Sequence, residues 1–279
     1  MNIRELLQQA AEQLKQAGCD APRLDAELLL MHLCHLGRTD LIIRANDRVS
    51  EAVGKDFRQL LQRRIRREPL AYILGHKEFW SRSFIVNRDV LIPRPETEHL
   101  IEAVMARFPE RRAALRFCDI GTGSGCIAVT LACEFPNATV IASDISVAAL
   151  DVARRNAEQL GVIDRMLFRQ GDMLAALQPG DGPFDALISN PPYVAADEMG
   201  GLEEELAQEP RHALTDEQDG RKYLTTMLRH GPEYLQPGGY IMLETGLCGL
   251  PATPEQLMRD QVIYDLAGHL RGGVYCLAA

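Results

Sequence analysis

An α/β fold preceded by a small all-helical module, the two joined by a β-hairpin, is what this sequence predicts, and three observations carry it. Residues 1–75 show helical apolar spacing throughout. Residues 77–92 break into short apolar and aromatic runs around a polar turn. From Leu115 onward, strand-like and helix-like segments alternate, as in α/β domains. The chain has 279 residues. At roughly 150 residues per domain, one large domain or two unequal ones are expected.

In the helical module, Ile3, Leu6, Leu7, Ala10, Ala11 and Leu14 recur at one-face spacing, and Gly18 follows as a stop. Asp20 with Pro22 opens a second helix through Leu24, Leu28, Leu29 and Met31, ending at Gly37. Thr39 is placed to cap a short third helix. Ser50 is placed to cap a fourth, through Phe57, Leu60, Leu61 and Ile65. Glu68-Pro69 interrupts it, and residues 69–74 begin one more helical turn.

Residues 77–86, with Phe79, Trp80, Phe84, Ile85 and Val86, read as a strand. Asn87-Arg88-Asp89 supplies turn residues, and Val90-Leu91-Ile92 returns as the second strand. Pro93-Arg94-Pro95 ends it, and Leu100, Ile101, Val104, Met105 and Phe108 give the next helix an apolar face. The α/β part then offers strands at 116–120, 139–143, 166–169, 184–189 and 240–244, with helices at 126–134, 147–160 and 222–234. Beyond 254, one short helix and two short strands at most fit. The expected organisation is a helical domain over 1–75, a hairpin linker over 76–98 and an α/β domain over 99–279.

Hydrophobic residues at 46% and charged residues at 25% place the chain among soluble globular proteins. No apolar run approaches the roughly 18 residues of a membrane span, and the amphipathic start, with Arg4, Glu5, Glu12 and Lys15, does not read as a signal peptide. The seven cysteines form no C-x-x-C pair and are odd in number, so neither a metal site nor a disulfide framework is expected. Cys126 and Cys133 read as core fillers, and a reducing cytoplasm suits such thiols. Residues 1–75 carry 12 Lys+Arg against 10 Asp+Glu, while the remainder carries 18 against 29. An acidic body is poorly suited to phosphate neutralisation, which argues against a direct nucleic-acid partner. The run Arg63–Arg67 reads as a solvated helix face, and Glu203-Glu204-Glu205 as exposed helix. Trp80 is expected to serve the hairpin core.

Cys118-Asp119-Ile120-Gly121-Thr122-Gly123-Ser124-Gly125 follows a strand and opens a helix. Glycines allow positive φ and close approach of a ligand, and the helix start offers free N–H groups. A dinucleotide fingerprint would place glycine where Cys126 stands. G-x-G-x-G after an acidic residue is instead the pattern that holds the methionine moiety of S-adenosylmethionine. Asp144, ending the next strand, can accept both ribose hydroxyl protons; a helix N-cap is its bland alternative. In Gln170-Gly171-Asp172-Met173, Asp172 can receive the adenine amino group and Met173 can cover the ring, or the stretch is a plain turn.

Ser189-Asn190-Pro191-Pro192-Tyr193 follows an apolar strand, so it lands at the carboxyl end of the sheet beside the glycine loop. The Asn190 side-chain oxygen and the Pro191 carbonyl are two acceptors, enough for both hydrogens of one NH₂ group. The prolines, Pro191 and Pro192, fix the backbone and remove competing donors. Tyr193 can lie on a planar amide or base. Such acceptors would draw charge from an amide nitrogen as it attacks a methyl group, a help that grows toward the transition state. An exocyclic base amino group would suit the same constellation, and a non-catalytic cofactor-binding adaptor is a third reading.

Several stretches together resemble the release-factor glutamine methyltransferase family (PrmC/HemK type). They are Arg67-Glu68-Pro69-Leu70-Ala71-Tyr72-Ile73-Leu74-Gly75, Val90-Leu91-Ile92-Pro93-Arg94-Pro95-Glu96-Thr97-Glu98, the glycine loop, Ser143-Asp144-Ile145-Ser146, Ser189–Tyr193, Glu209-Pro210-Arg211 and Leu235-Gln236-Pro237-Gly238-Gly239. The resemblance implies a Rossmann-like methyltransferase sheet, S-adenosylmethionine as methyl donor, and the glutamine of the Gly-Gly-Gln loop of class-one peptide chain release factors as acceptor. It implies a helical domain that helps hold the release factor, and Asn190 with Pro191 as acceptors for the glutamine amide. The chain departs from the family pattern at Met173, where an aromatic residue is common, and over 266–273.

Overall fold

The computed structural model describes residues 1–278, which form two compact units. The first comprises Met1–Gly75 together with Glu203–Gln208; the second comprises His76–Leu202 and the chain from Glu209 onward.

The first unit is helical: α1 (Ile3–Gln16), α2 (Pro22–Cys34), α3 (Arg38–Ile43), α4 (Glu51–Ile65) and α5 (Leu70–Leu74). Its core joins Leu6, Leu7, Leu14, Leu29, Leu30, Phe57 and Leu61, so the helical apolar spacing is what buries it. Ser50 caps α4 as expected, accepting from Val53 N–H. α2 starts at Pro22, where the sequence places its opening. Two ends differ from the sequence reading. Thr39 does not cap α3, which starts after Gly37, whose N–H donates to the Asp40 carboxylate. α2 also stops before Gly37, because His35 already adopts a left-handed conformation at φ 52°.

The arginine run is not a solvated face. Arg64 is buried and pairs with Asp25 at 2.7 Å and Glu205 at 2.8 Å. Arg63 pairs with Glu68 at 2.7 Å and Arg67 with Glu205 at 2.5 Å. The acidic run is correspondingly not exposed helix: Glu205 spends its carboxylate on two guanidiniums, and only the 3-10 turn Leu206–Gln208 follows. Buried charges persist where each has a partner.

The second unit opens with a hairpin, β1 (His76–Phe79) paired with β2 (Arg82–Ile85). Its turn lies at Trp80-Ser81, both with positive φ (51° and 56°), rather than at Asn87-Arg88-Asp89, and Val90–Ile92 is not a strand. Phe79 and Phe84 stack edge-on in the core, while Trp80 is half-buried with its indole N–H on Glu134. After the 3-10 turn Pro95–Thr97 come α6 (Glu98–Arg107), β3 (Arg116–Ile120), α7 (Cys126–Glu134), β4 (Thr139–Asp144), α8 (Val147–Gln159), β5 (Met166–Gln170), β6 (Phe184–Ser189), α9 (Lys222–His230), β7 (Leu235–Glu244), β8 (Leu257–Tyr264) and β9 (Leu270–Leu277). The sheet order is β5-β4-β3-β6-β7-β9-β8, with β5 to β7 parallel in that order and β9 and β8 antiparallel. This is a Rossmann-like sheet. Successive strand residues face opposite cores: Phe117, Val140 and Ile188 lie in one, Cys118, Ile141 and Leu187 in the other.

The C-terminal edge departs most from expectation. Two strands of eight residues each replace the short helix and short strands expected beyond 254. No helix among the described residues is long and apolar enough to cross a membrane.

Candidate active site

The strand order reverses at β3, with β4 and β5 laid down on one side of it and β6 and β7 on the other, and the crevice at such a switch point is where open α/β sheets take ligands. Three strand ends converge there. The glycine loop leaves β3, Asp144 ends β4, and Asn190 follows β6.

The loop is held in shape from below. Gly121, Gly123 and Gly125 have φ of 75°, 54° and 80°. A Cβ at Gly125 would lie 3.0 Å from the Ala153 Cβ, whereas at Gly121 and Gly123 it would meet no atom within 4 Å and would stand in the cavity. Asp119 is fully buried under the loop. Its Oδ2 accepts the Thr122 hydroxyl at 2.7 Å and Ala128 N–H at 3.2 Å, while Oδ1 has no partner. Burial pushes its carboxyl up to about 7, against the pull of those two hydrogen bonds. Ser124 is buried too, and its carbonyl accepts from Asn156 at 2.8 Å.

Asp144 bridges the loop and the next helix. Oδ2 accepts Gly123 N–H at 2.9 Å and Oδ1 accepts Ser146 N–H at 2.9 Å. The cap of α8 is Ser146, whose hydroxyl accepts from Ala149 N–H, so Asp144 is not the N-cap. Burial raises its carboxyl above the ordinary range, and the two backbone donors oppose this. Further along the same cavity wall, Met173 has φ 51° after Gly171, where a Cβ would meet Ala176 Cα at 2.6 Å.

Gly121, Gly123, Asp144, Asp172, Met173, Asn190 and Pro192 line one cavity. Asp119, Thr122, Ser124, Gly125, Pro191 and Tyr193 do not line it; they stand behind it. Asn190 donates its side-chain Nδ2–H to the Thr97 hydroxyl oxygen at 3.0 Å, which leaves Oδ1 free of that bond. Tyr193 donates its hydroxyl to Glu244 at 2.9 Å, and burial with that carboxylate pushes the phenol well above its ordinary range.

Against known proteins, the chain is 43% identical over 252 residues to a release factor glutamine methyltransferase of Neisseria gonorrhoeae, covering 88% of this chain and 90% of that one. The chain belongs to the release factor glutamine methyltransferase family. Another member, from Koribacter versatilis, is 38% identical over 98% of this chain and 96% of its own. Residues 5–75 match the PrmC N-terminal domain and residues 97–225 the methyltransferase small domain. Among solved structures, the hMettl16 catalytic domain in complex with a MAT2A 3'UTR hairpin aligns at TM-score 0.51 and 16% identity over 70% of this chain and 74% of that one, a likeness of fold. The protein is therefore a methyltransferase, and its sheet is the one its family resemblance implies.

Membership in this family gives its shared stretches a physical meaning. Glu209 accepts Ile92 N–H at 2.9 Å and pairs with Arg94 at 2.6 Å, so Ile92-Pro93-Arg94 and Glu209-Pro210-Arg211 hold each other. Residues before and after those bonds line the cavity: Val90 and Leu91 on one stretch, His212 and Ala213 on the other. Sequence reasoning read Val90–Ile92 as a strand, which it is not, and noted Glu209-Pro210-Arg211 without a role. It named Ile145 and Thr97 only inside shared stretches, and it passed over Ala149 and Tyr223 on the cavity wall and Glu244 behind Tyr193. No spacing in the sequence joins Glu244 to Tyr193.

Proposed function

We propose that this methyltransferase methylates the side-chain amide nitrogen of the glutamine in the Gly-Gly-Gln loop of class-one peptide chain release factors, with S-adenosylmethionine as donor. The observation that carries the reading is the Asn190 side chain: its nitrogen is engaged by Thr97, so its oxygen is the atom left to accept from a substrate NH₂. The names of the family's members supply the substrate.

The cavity residues fit the donor. Gly121 and Gly123 leave open space against the backbone where a methionine moiety would lie, backed by Thr122, Ser124, Gly125 and the buried Asp119. Asp144 would offer its carboxylate to the ribose hydroxyls and Asp172 to the adenine amino group, and Met173 would cover the ring; all three line the cavity. S-adenosylmethionine, when bound, supplies a methyl group on an electrophilic sulfonium. The protein's own part is positional and electrostatic. Asn190 Oδ1 and the Pro191 carbonyl hold the two amide hydrogens, and Pro192 keeps the turn rigid. Tyr193, anchored by its hydroxyl, walls the amide plane. The amide nitrogen would gain the methyl group as the S–CH₃ bond breaks and its electron pair returns to sulfur, leaving S-adenosylhomocysteine; the two acceptors would stabilise the positive charge on the amide hydrogens until one proton is lost to solvent.

The test is methyl transfer from labelled S-adenosylmethionine to a class-one release factor and to the same factor with its Gly-Gly-Gln glutamine replaced. Label on the first alone is expected. Label on both, or on neither, defeats the glutamine reading.

A further inference from the structure

The carboxyl edge of the sheet divides into two halves. On one half, β5, β4 and β3 end in Asp172-Met173, Asp144 and the glycine loop, the residues read above as holding S-adenosylmethionine. Asn190 follows β6, the next strand in the sheet. On the other half, β7 ends at Glu244 and β8 at Tyr264. Both β7 and β8 run antiparallel to β9, so they point the same way, and the turn from β8 into β9 stands at the same edge as Asn190. With the first half taken by the cofactor, a protein whose amide reaches Asn190 has the second half to lie along.

That half carries the two most exposed large apolar side chains among the described residues: Leu247 is 91% accessible and Leu266 is fully exposed. Each stands second in a hydrogen-bonded turn. Around Leu247, Gly249 N–H donates to the Gly246 carbonyl at 3.1 Å; around Leu266, Gly268 N–H donates to the Asp265 carbonyl at 3.0 Å. Thr245 fixes the first turn, its N–H donating to the Arg271 carbonyl at 2.8 Å and its hydroxyl to the Gly249 carbonyl at 2.9 Å. Asp265 fixes the second. Its Oδ1 accepts the N–H groups of Ala267 and His269, both at 2.9 Å, and its Oδ2 accepts Arg271 Nε–H at 2.9 Å. Both turns are also tied to the site. Gly246 abuts Tyr193, since a Cβ there would lie 2.8 Å from the ring. Arg271 reaches Glu96 at 3.7 Å, next to the Thr97 that holds Asn190.

Turn positions are ordinarily filled by Gly, Asn, Asp, Ser or Pro, and a hydrated leucine contributes nothing to the core. Exposed apolar residues scattered singly need no explanation. Two of them on braced turns, at one edge and beside the acceptor residue, do. We propose that Leu247 and Leu266 form an apolar ledge on which the protein substrate lays the residues next to its methylated glutamine, and that those residues carry apolar side chains. Braced turns lower the ordering cost of such a contact. At about 4.8 Å between strands, the edge from β6 to β8 is about 14 Å long, the length of about four or five residues of extended chain. The ledge therefore meets substrate residues within about five positions of the glutamine. The choice of occupant rests on the reading of the substrate as the Gly-Gly-Gln glutamine of a class-one release factor.

Steady-state methyl transfer by the full chain, from labelled S-adenosylmethionine to a class-one release factor, tests it. The paired change Leu247→Ser and Leu266→Ser should raise the KM for release factor about tenfold, with kcat, the calorimetric affinity for S-adenosylmethionine and the urea midpoint as in the wild type. Met258→Ser removes a side chain 62% accessible at the opposite end of β8 and should leave that KM unchanged. The paired change should have no further effect on a factor whose apolar residues within about five positions of the glutamine are already serine, since the two sets of changes remove the same contact. An unchanged KM in the paired variant, an equal rise in Met258→Ser, or a full rise against the serine-substituted factor overturns the ledge while the glutamine reading stands. No label on release factor from the wild-type protein overturns the glutamine reading, and this occupant with it.

Discussion

Asn190, proposed as an amide acceptor, was singled out in the sequence because Asn-Pro-Pro-Tyr follows an apolar strand, and the structure puts it on the cavity wall. Truncating it to alanine should cut turnover on the order of 10²–10³-fold, the usual loss when one preorganised partner of a developing charge is removed. Affinity for S-adenosylmethionine, read by calorimetry, should change only a few-fold, since Asp144 and the glycine loop are untouched. Asp119 was legible as part of the loop motif, but its burial was not, because a carboxylate after a strand is as easily pictured facing a ligand as lying beneath the backbone. That burial has a pH signature. Its native carboxyl is raised to about 7 from 3.8. The unfolded chain therefore loses this proton first, and native stability falls as pH rises from about 4 to 7 and then levels. Each pH unit over which the two states differ by one proton changes stability by up to about 1.4 kcal/mol. Glu244 acts with the same sign. Urea midpoints at pH 5, 6 and 7.5 should thus decline in the wild type, and Asp119→Asn should show a shallower decline. An equal slope in both would refute the assignment.

At the scale of elements, the glycine loop depends on a residue that no motif contains. Asn156, buried on α8, accepts Ile85 N–H at 2.7 Å and donates to the Ile85 carbonyl at 3.0 Å and the Ser124 carbonyl at 2.8 Å. One amide thus ties the hairpin strand β2 and the cofactor loop to the same helix. Asn156→Ala leaves three backbone groups without that partner, and at about 1–3 kcal/mol for each buried unsatisfied group the variant should lose several kcal/mol in denaturant titration. It should also bind S-adenosylmethionine more weakly, which a purely global effect on stability would not produce at low temperature. The same region shows why the hairpin turn was misplaced in the sequence. Positive φ at two central residues is normally supplied by Asn or Gly, and Trp80-Ser81 gives no such sign. The tight pairing of His76–Phe79 with Arg82–Ile85, and the burial of Phe79 and Phe84, hold it there. The long strand β8 was hidden for another reason. It is an edge strand, so Arg259, Asp260 and Gln261 sit exposed on it and its apolar alternation is faint. The parallel strands β3, β4 and β6 were plain because they are buried on both faces and read as apolar runs.

Across the whole molecule, the charge balance differs between residues 1–75, near neutral, and the acidic remainder, but no surface for a protein substrate was legible in it. Of the arginine run expected to be a solvated face, Arg63, Arg64 and Arg67 are engaged by internal pairing with Glu68, Asp25 and Glu205. What the helical unit exposes instead is Ile42 and Ile43, adjacent on α3 and 74% and 77% accessible. A single exposed isoleucine is ordinary; two neighbours on a six-residue helix form an apolar step that folding does not need. If the helical unit helps hold the release factor, these two, the most exposed of its large apolar side chains, are candidate anchors for it. The paired change Ile42→Ser and Ile43→Ser should then raise the KM for release factor about tenfold, the loss of roughly 1.4 kcal/mol of binding. Both residues are already in water, so the unfolding midpoint should stay close to wild type. Neither touches the cavity, so kcat and the affinity for S-adenosylmethionine should hold. A KM for release factor equal to that of the wild type would remove α3 from the docking surface and leave the substrate to be held by other parts of the chain.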